Sequence, residues 1–193
     1  MLRQNFDGRY KDMTAKEEVF EAELVGNEIV VWKNIEEVYE IGCYGKILED
    51  RLILSLCEAL HLIERKKLEV KEGKKKLDKN KFYERACELD EEFPQKYAVY
   101  KDLRERGFLV RTGFKFGTHF RVYERGVKLK KGPKSAKEHT KWIVHAIPER
   151  FKCSYAELSR SVRLAQNIRT HLIWAVVDEE GDVTYYEIIR ITP

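Results

Sequence analysis

The chain has 193 residues, 43% of them hydrophobic and 36% charged, with a net charge of +4 at pH 7. This is length for one large domain or two small ones, with apolar residues enough for a core. No apolar run approaches bilayer-spanning length, and the N-terminal MLRQNFDGRYKDM lacks a signal-peptide core. The expectation is therefore a cytoplasmic protein with no membrane partner. Cys43, Cys57, Cys87 and Cys153 show no CxxC spacing, so reduced, unpaired cysteines are expected. The charge is unevenly spread. Residues 1–92 carry 17 Lys and Arg against 22 Asp and Glu, a balance of −5; residues 93–193 carry 20 against 11, a balance of +9. The second half is the one suited to a polyanion.

In chain order, residues 20–33 alternate apolar and polar around Gly26-Asn27 and predict a β-hairpin. Leu52, Leu56, Ala59, Leu60 and Ile63 recur at helical spacing and predict a helix over Leu52–Leu68. The Lys- and Gly-rich stretch after it reads as a solvated loop, and Lys79–Asp90 as a second helix. The charge balance changes sign at Glu91-Glu92-Phe93-Pro94, and proline disfavours helix at the residue before it. A boundary is placed there, dividing the chain into 1–92 and 93–193.

The second half opens with an amphipathic helix over Gln95–Arg106, stopped by Gly107. Strands follow at Phe108–Phe116 and Thr118–Glu124, then a basic loop over Lys128–Lys137 and a strand at Trp142–Ile147. A helix over Ser154–Thr170 carries a capping box, Ser154 with Glu157. The apolar run His171–Val177 predicts a fully buried central strand. The turn Asp178-Glu179-Glu180-Gly181-Asp182 leads to a last strand, Val183–Ile191. Strands and helices in this order give an α/β fold class.

Strand alternation puts His119, Arg121 and Tyr123 on one face and Phe120 and Val122 on the core face. His139 precedes a strand, at a loop end. On the last helix Arg163, Asn167 and Thr170 share a face distinct from the apolar stripe. RNA can be cut through its own 2′-hydroxyl, given a base, an acid and a cation for the charge building on phosphorus. Tyr and His suit the first two roles, though a lone strand tyrosine also serves as a packing residue. No metal-ligand spacing, P-loop or dinucleotide fingerprint is present, so no metal and no cofactor are expected.

The segments YAVYKDLRERGFLVRTGFKFGTHFRVYERG, KEH, LSRSVRLAQNIR and AVVDEEGDVTYY, with LILSLCEALHLIERKKLEV before them, resemble the archaeal tRNA-splicing endonuclease family. The resemblance implies an α+β N-terminal domain and a C-terminal α/β nuclease domain of restriction-endonuclease-like topology. It implies metal-free cleavage of precursor tRNA at bulge–helix–bulge junctions, leaving a 2′,3′-cyclic phosphate and a 5′-hydroxyl.

The family's tyrosine base falls on Tyr123 and its histidine acid on His139. Its lysine falls on Thr170, because AQNIRTH stands where the family has a pattern like AQNVRK. Two arginines that clamp a bulge base fall on Arg163 and Arg190. An acidic loop that docks on a neighbouring subunit falls on Asp178, Glu179, Glu180 and Asp182. The expected partners are a precursor tRNA and either three further copies, in a homotetramer, or a second endonuclease subunit. Arg169 and His171, which flank that position, and His119, which shares the Tyr123 face, are the candidates to replace the lysine. The alternative is a non-catalytic subunit that binds RNA and assists assembly, because threonine carries no charge.

Overall fold

The computed structural model describes residues 19–113, 117–129 and 139–191. The first half begins with the expected hairpin, β1 (Phe20–Val25) and β2 (Glu28–Val31). Its turn needs a positive φ, which Gly26 supplies at 61°. A short helix α1 (Ile35–Glu40), β3 (Lys46–Leu48) and β4 (Arg51–Leu54) follow, then α2 (Leu56–Glu64), β5 (Leu68–Glu72), β6 (Lys75–Leu77) and α3 (Lys79–Leu89).

The expected helix over Leu52–Leu68 is thus divided. Leu52 and Leu54 are buried two residues apart as strand residues, and the helix starts only after Ser55. Ser55 accepts from Glu58 N while Glu58 returns the bond to Ser55 N, a complete capping box that helical periodicity alone did not locate. The Lys-rich stretch read as loop is a hairpin, β5–β6. Leu68, Val70 and Leu77 point inward and the lysines outward, so the solvated face hid the strand. The sheet runs β3-β4-β2-β1-β5-β6, with β1 and β5 parallel.

The second half comprises α4 (Phe93–Glu105), β7 (Phe108–Thr112), β8 (Phe120–Arg125), β9 (Trp142–Pro148), α5 (Tyr155–Asn167), β10 (His171–Val177) and β11 (Val183–Ile188). The sheet order is β11-β10-β9-β8-β7; β9 and β10 are parallel and the other pairs antiparallel. The fold class is α/β, with one sheet in each half. Most of the expected basic loop, 130–138, lies outside the described residues, as do 114–116 of the strand expected to reach Phe116.

The residues around position 92 separate the two sheets but not the core. Pro94 stands in the first turn of α4, where its missing N–H costs no helical bond, so Phe93 begins the helix instead of ending a linker. α4 packs on α2 and α3 on one side and on β7, β9, β10 and β11 on the other. Its buried Phe93, Tyr97, Val99, Tyr100 and Leu103 join Leu60, Val110, Val122, Val144 and Ala175 in one cluster. Each such side chain contributes about 1.5–3 kcal/mol by leaving water. Arg104 adds a polar tie. Its guanidinium lies 4.1 Å over the Tyr44 ring, and its Nη2 donates to Gly42 O at 3.0 Å.

The strand expected to be fully buried, β10, is only partly so. Leu172, Ala175 and Val177 are buried, whereas Ile173, Trp174 and Val176 are half-exposed. Only one strand, β11, lies outside it, and α5 reaches its face through Val162 and Ala165. The last strand ends at Ile188, three residues earlier than expected, and forms the sheet's edge.

Candidate functional site

One end of the second sheet collects the chemistry. Val122 pairs with Trp142 across β8 and β9, and Trp142 with His171 across β9 and β10. One residue further toward that end come Tyr123 of β8, Lys141 just before β9 and Thr170 just before β10, a row of neighbouring backbone positions. The row is pinned through the backbone. Lys141 N donates to Val122 O at 3.0 Å, and Lys141 O accepts from His171 N at 3.0 Å and from Thr170 Oγ1 at 2.6 Å. His139, two residues before Lys141, is exposed at the same end.

Tyr123 is where the expectation of a solvent face fails: it is 1% exposed. Phe120 and Val122 do face the core, yet the opposite side of β8 is covered as well. Tyr123 packs with Leu109 and with Cys43 from the first half, and Tyr39, Val127 and Leu129 close around them. Alternation assigns a residue to a face; it does not say that a second layer covers that face. Arg111, beside this cluster, donates to Cys43 O at 2.6 Å and holds the covering loop.

His119 does not join Tyr123. Four extended residues separate them by about 13 Å along the strand. The His119 ring accepts from Ala146 N at 3.0 Å, stands 3.5 Å from Glu92 and meets the His145 ring edge-on at 5.3 Å. Burial, with the positive charge of Lys96, lowers its pKa, which favours the neutral ring. His119 is therefore no substitute for a lysine in the row. Arg121 donates through Nε to Thr112 O at 2.9 Å.

His171, the residue after the row, is bonded to Glu187 of β11. Arg169 holds a left-handed backbone (φ 53°) in the turn that closes α5. Lys141 is the cation that the linear sequence did not single out. Its ammonium pairs with Glu124 and lies 4.7 Å from the centre of the Trp142 ring. Its N–H reaches Val122 O and its carbonyl meets Thr170, neighbours that only the strand pairing brings together.

The capping box on α5 is as expected: Glu157 N donates to Ser154 Oγ, and Ser154 N to Glu157. On that helix Arg163 is exposed, and its guanidinium donates to Ser159 Oγ at 2.9 and 3.2 Å. Arg190 lies past the end of β11 and is exposed. In the acidic turn, the Asp178 carboxylate accepts from the backbone of Glu180 and Asp182 at 3.0 and 2.9 Å, so it shapes the turn. Glu179 pairs with Arg150, while Glu180 and Asp182 stay at the surface. Among the described residues, no group of three or more His, Cys, Asp and Glu side chains stands ready to hold a metal. No helix there is long and apolar enough to cross a membrane, and Cys43, Cys57, Cys87 and Cys153 are unpaired.

Known proteins match this sequence along most of its length. Residues 20–83 match the model of the tRNA intron endonuclease N-terminal domain, and residues 93–185 that of the tRNA intron endonuclease catalytic C-terminal domain. A tRNA-splicing endonuclease of Thermococcus gammatolerans is 45% identical over 154 residues, 80% of this chain and 86% of that protein. One from Thermococcus kodakarensis is 44% identical over the same span. One from Methanosarcina barkeri is 37% identical over 174 residues, which cover 88% of this chain but 48% of that longer protein. With both halves matched in order, the chain belongs to the tRNA intron endonuclease family.

Proposed function

We propose that the chain cleaves precursor tRNA at bulge–helix–bulge exon–intron junctions, using the RNA's own 2′-hydroxyl as nucleophile. The observation that carries this reading is the gathering at the end of the second sheet, with Tyr123 near the start of β9 and His139 three residues before that strand. Tyr123, as phenolate, takes the 2′-proton. The 2′-oxygen bonds to phosphorus while the bond from phosphorus to the 5′-oxygen breaks. His139, as imidazolium, gives its proton to that 5′-oxygen. The products are a 2′,3′-cyclic phosphate and a 5′-hydroxyl, and no metal takes part in the step. General acid and base groups of this kind each contribute about 10²–10⁴-fold.

Arg163 and Arg190 suit the clamping of a splayed base, because guanidinium planes stack on nucleobases. Both are exposed. Asp178, Glu179, Glu180 and Asp182 suit docking on a basic neighbour. The open edge of β11, with exposed Tyr186, Ile189 and Ile191 beside it, suits pairing with another copy or a second subunit. A tetramer built this way brings Arg163 and Arg190 from facing copies toward one RNA.

A second reading has one observation of its own. Thr170 is neutral and spends its hydroxyl on Lys141 O, which fits a subunit that binds RNA while a partner cuts. Incubation of the purified chain with a bulge–helix–bulge RNA in EDTA separates the two. Cleavage lost in Tyr123→Phe and His139→Ala supports the endonuclease; binding with no cleavage, unchanged by Thr170→Lys, supports the non-catalytic subunit.

A further inference from the structure

We infer that Arg111 is a positioning residue for Tyr123: it fastens a loop of the first half against the tyrosine, so that the first half supplies one wall of the site. The inference rests on the endonuclease reading above. Tyr123 of β8 stands opposite Leu109 of β7, and Arg111 lies two residues further along β7 on the same face. Cys43, in the loop after α1, packs on the Leu109–Tyr123 pair, with Tyr39 of α1 beside it. Arg111 Nη1 donates to Cys43 O at 2.6 Å, and its guanidinium lies 5.9 Å from the centre of the Tyr39 ring.

The loop needs such a hold. Cys43 has a left-handed backbone, with φ at 55°, which a residue with a Cβ adopts only at a cost. Its N–H donates to Tyr39 O at 2.6 Å, and Arg111 takes its carbonyl, so both backbone groups of Cys43 are held while its side chain packs on Tyr123. A charged donor on a carbonyl makes one of the stronger hydrogen bonds. Arg104 bonds the preceding carbonyl, Gly42 O, but lies on the rings of Tyr44 and Tyr100, which belong to the main core and not to the Tyr123 cluster. Tyr123 is 1% exposed, so RNA meets its hydroxyl only where this packing opens. β7 and the fastened loop form two sides of the packing. The third, Val127 and Leu129, follows β8, and among the described residues no hydrogen bond holds it. RNA therefore enters from that third side, and Cys43 keeps the ring oriented while it does. A base must stand within about 3 Å of the proton it takes, and a displacement of about 1 Å can cost about 100-fold in rate.

The test is single-turnover cleavage of a bulge–helix–bulge RNA in EDTA, at saturating RNA and well below the melting temperatures. Affinity is measured in parallel by gel shift, and stability by melting curves. Arg111→Met keeps the aliphatic stem and removes the donor. It is expected to slow cleavage about tenfold or more while changing affinity less than about threefold. Cys43→Gly removes the contact with Tyr123 but accepts the positive φ. It is expected to slow cleavage about tenfold while moving the melting temperature by less than about 4 °C. Arg104→Met is expected to lower the melting temperature more than Arg111→Met does, yet slow cleavage less than about threefold. A rate within about threefold of the unaltered chain in either Arg111→Met or Cys43→Gly overturns the inference. So does a loss confined to affinity, or a rate that merely follows the melting temperature across the three variants; the endonuclease reading then stands. An unaltered chain that leaves the RNA uncut overturns both.

Discussion

Thr170 donates its hydroxyl hydrogen to Lys141 O at 2.6 Å and so fastens the start of β10 to the start of β9. Its own N–H bonds to Ala165 O at 2.9 Å, closing α5. One residue therefore joins the end of the last helix to the row that holds Tyr123. Thr170→Val keeps the shape and leaves Lys141 O one donor short. The expected cost is about 1 kcal/mol, read from urea denaturation.

The half-buried arginine between the halves makes a stronger prediction. Arg104 bonds Gly42 O and lies against the rings of Tyr44 and Tyr100. Arg104→Ala removes a cation–π contact and a charged donor together and leaves a cavity, for an expected loss of about 3 kcal/mol. A Cβ at Gly42 would stand 2.8 Å from Arg104 Nη2 and 3.0 Å from the Tyr44 ring. Gly42→Ala should therefore lower the melting temperature too, and lose less when combined with Arg104→Ala than the two single losses would sum to.

Acid should unfold the protein through its histidines. Burial, helped by the charges of Arg104 and Arg65, pushes His61 down to about 4; burial, helped by His119, does the same to His145. An unfolded histidine takes up its proton near its ordinary value of 6.5. Between pH 6.5 and 4 the unfolded chain thus binds protons that the folded chain refuses, so stability is full above 6.5 and is lost as the pH falls. Melting curves from pH 8 to 4 should be level at first and then decline. A His61→Gln, His145→Gln variant should decline less steeply across the same window.

Ser154→Ala removes the hydroxyl that caps α5 and half of its reciprocal box with Glu157. The expected loss is about 1 kcal/mol. Because Arg163 is carried on that helix, the same variant should weaken RNA binding when measured near the melting temperature and leave it unchanged well below.

How much of this was legible in the sequence follows from which signals are local. The Ser154–Glu157 box, the Gly26 turn and the alternation around Phe120 and Val122 are written in adjacent residues, and the structure has them as expected. The break between β4 and α2 is also local, but Leu52 fits a helical spacing to Leu56 as well as a strand spacing to Leu54, so the periodicity was ambiguous there. The β5–β6 hairpin was hidden because an edge strand with one wet face reads as a lysine-rich loop. The burial of Tyr123 depends on Tyr39 and Cys43, some eighty residues earlier, and the nearness of Lys141 to Thr170 depends on the pairing of β9 with β10. Neither is encoded in neighbouring residues, and so neither could be read before the sheets were paired.

The most direct test of the central claim is the nature of the RNA ends. The purified chain, in EDTA, is incubated with a bulge–helix–bulge RNA labelled at either side of the junction. The account predicts cleavage to a 2′,3′-cyclic phosphate and a 5′-hydroxyl, abolished by Tyr123→Phe. Cleavage that needs added metal and leaves a 3′-hydroxyl, or full activity in Tyr123→Phe, would contradict it.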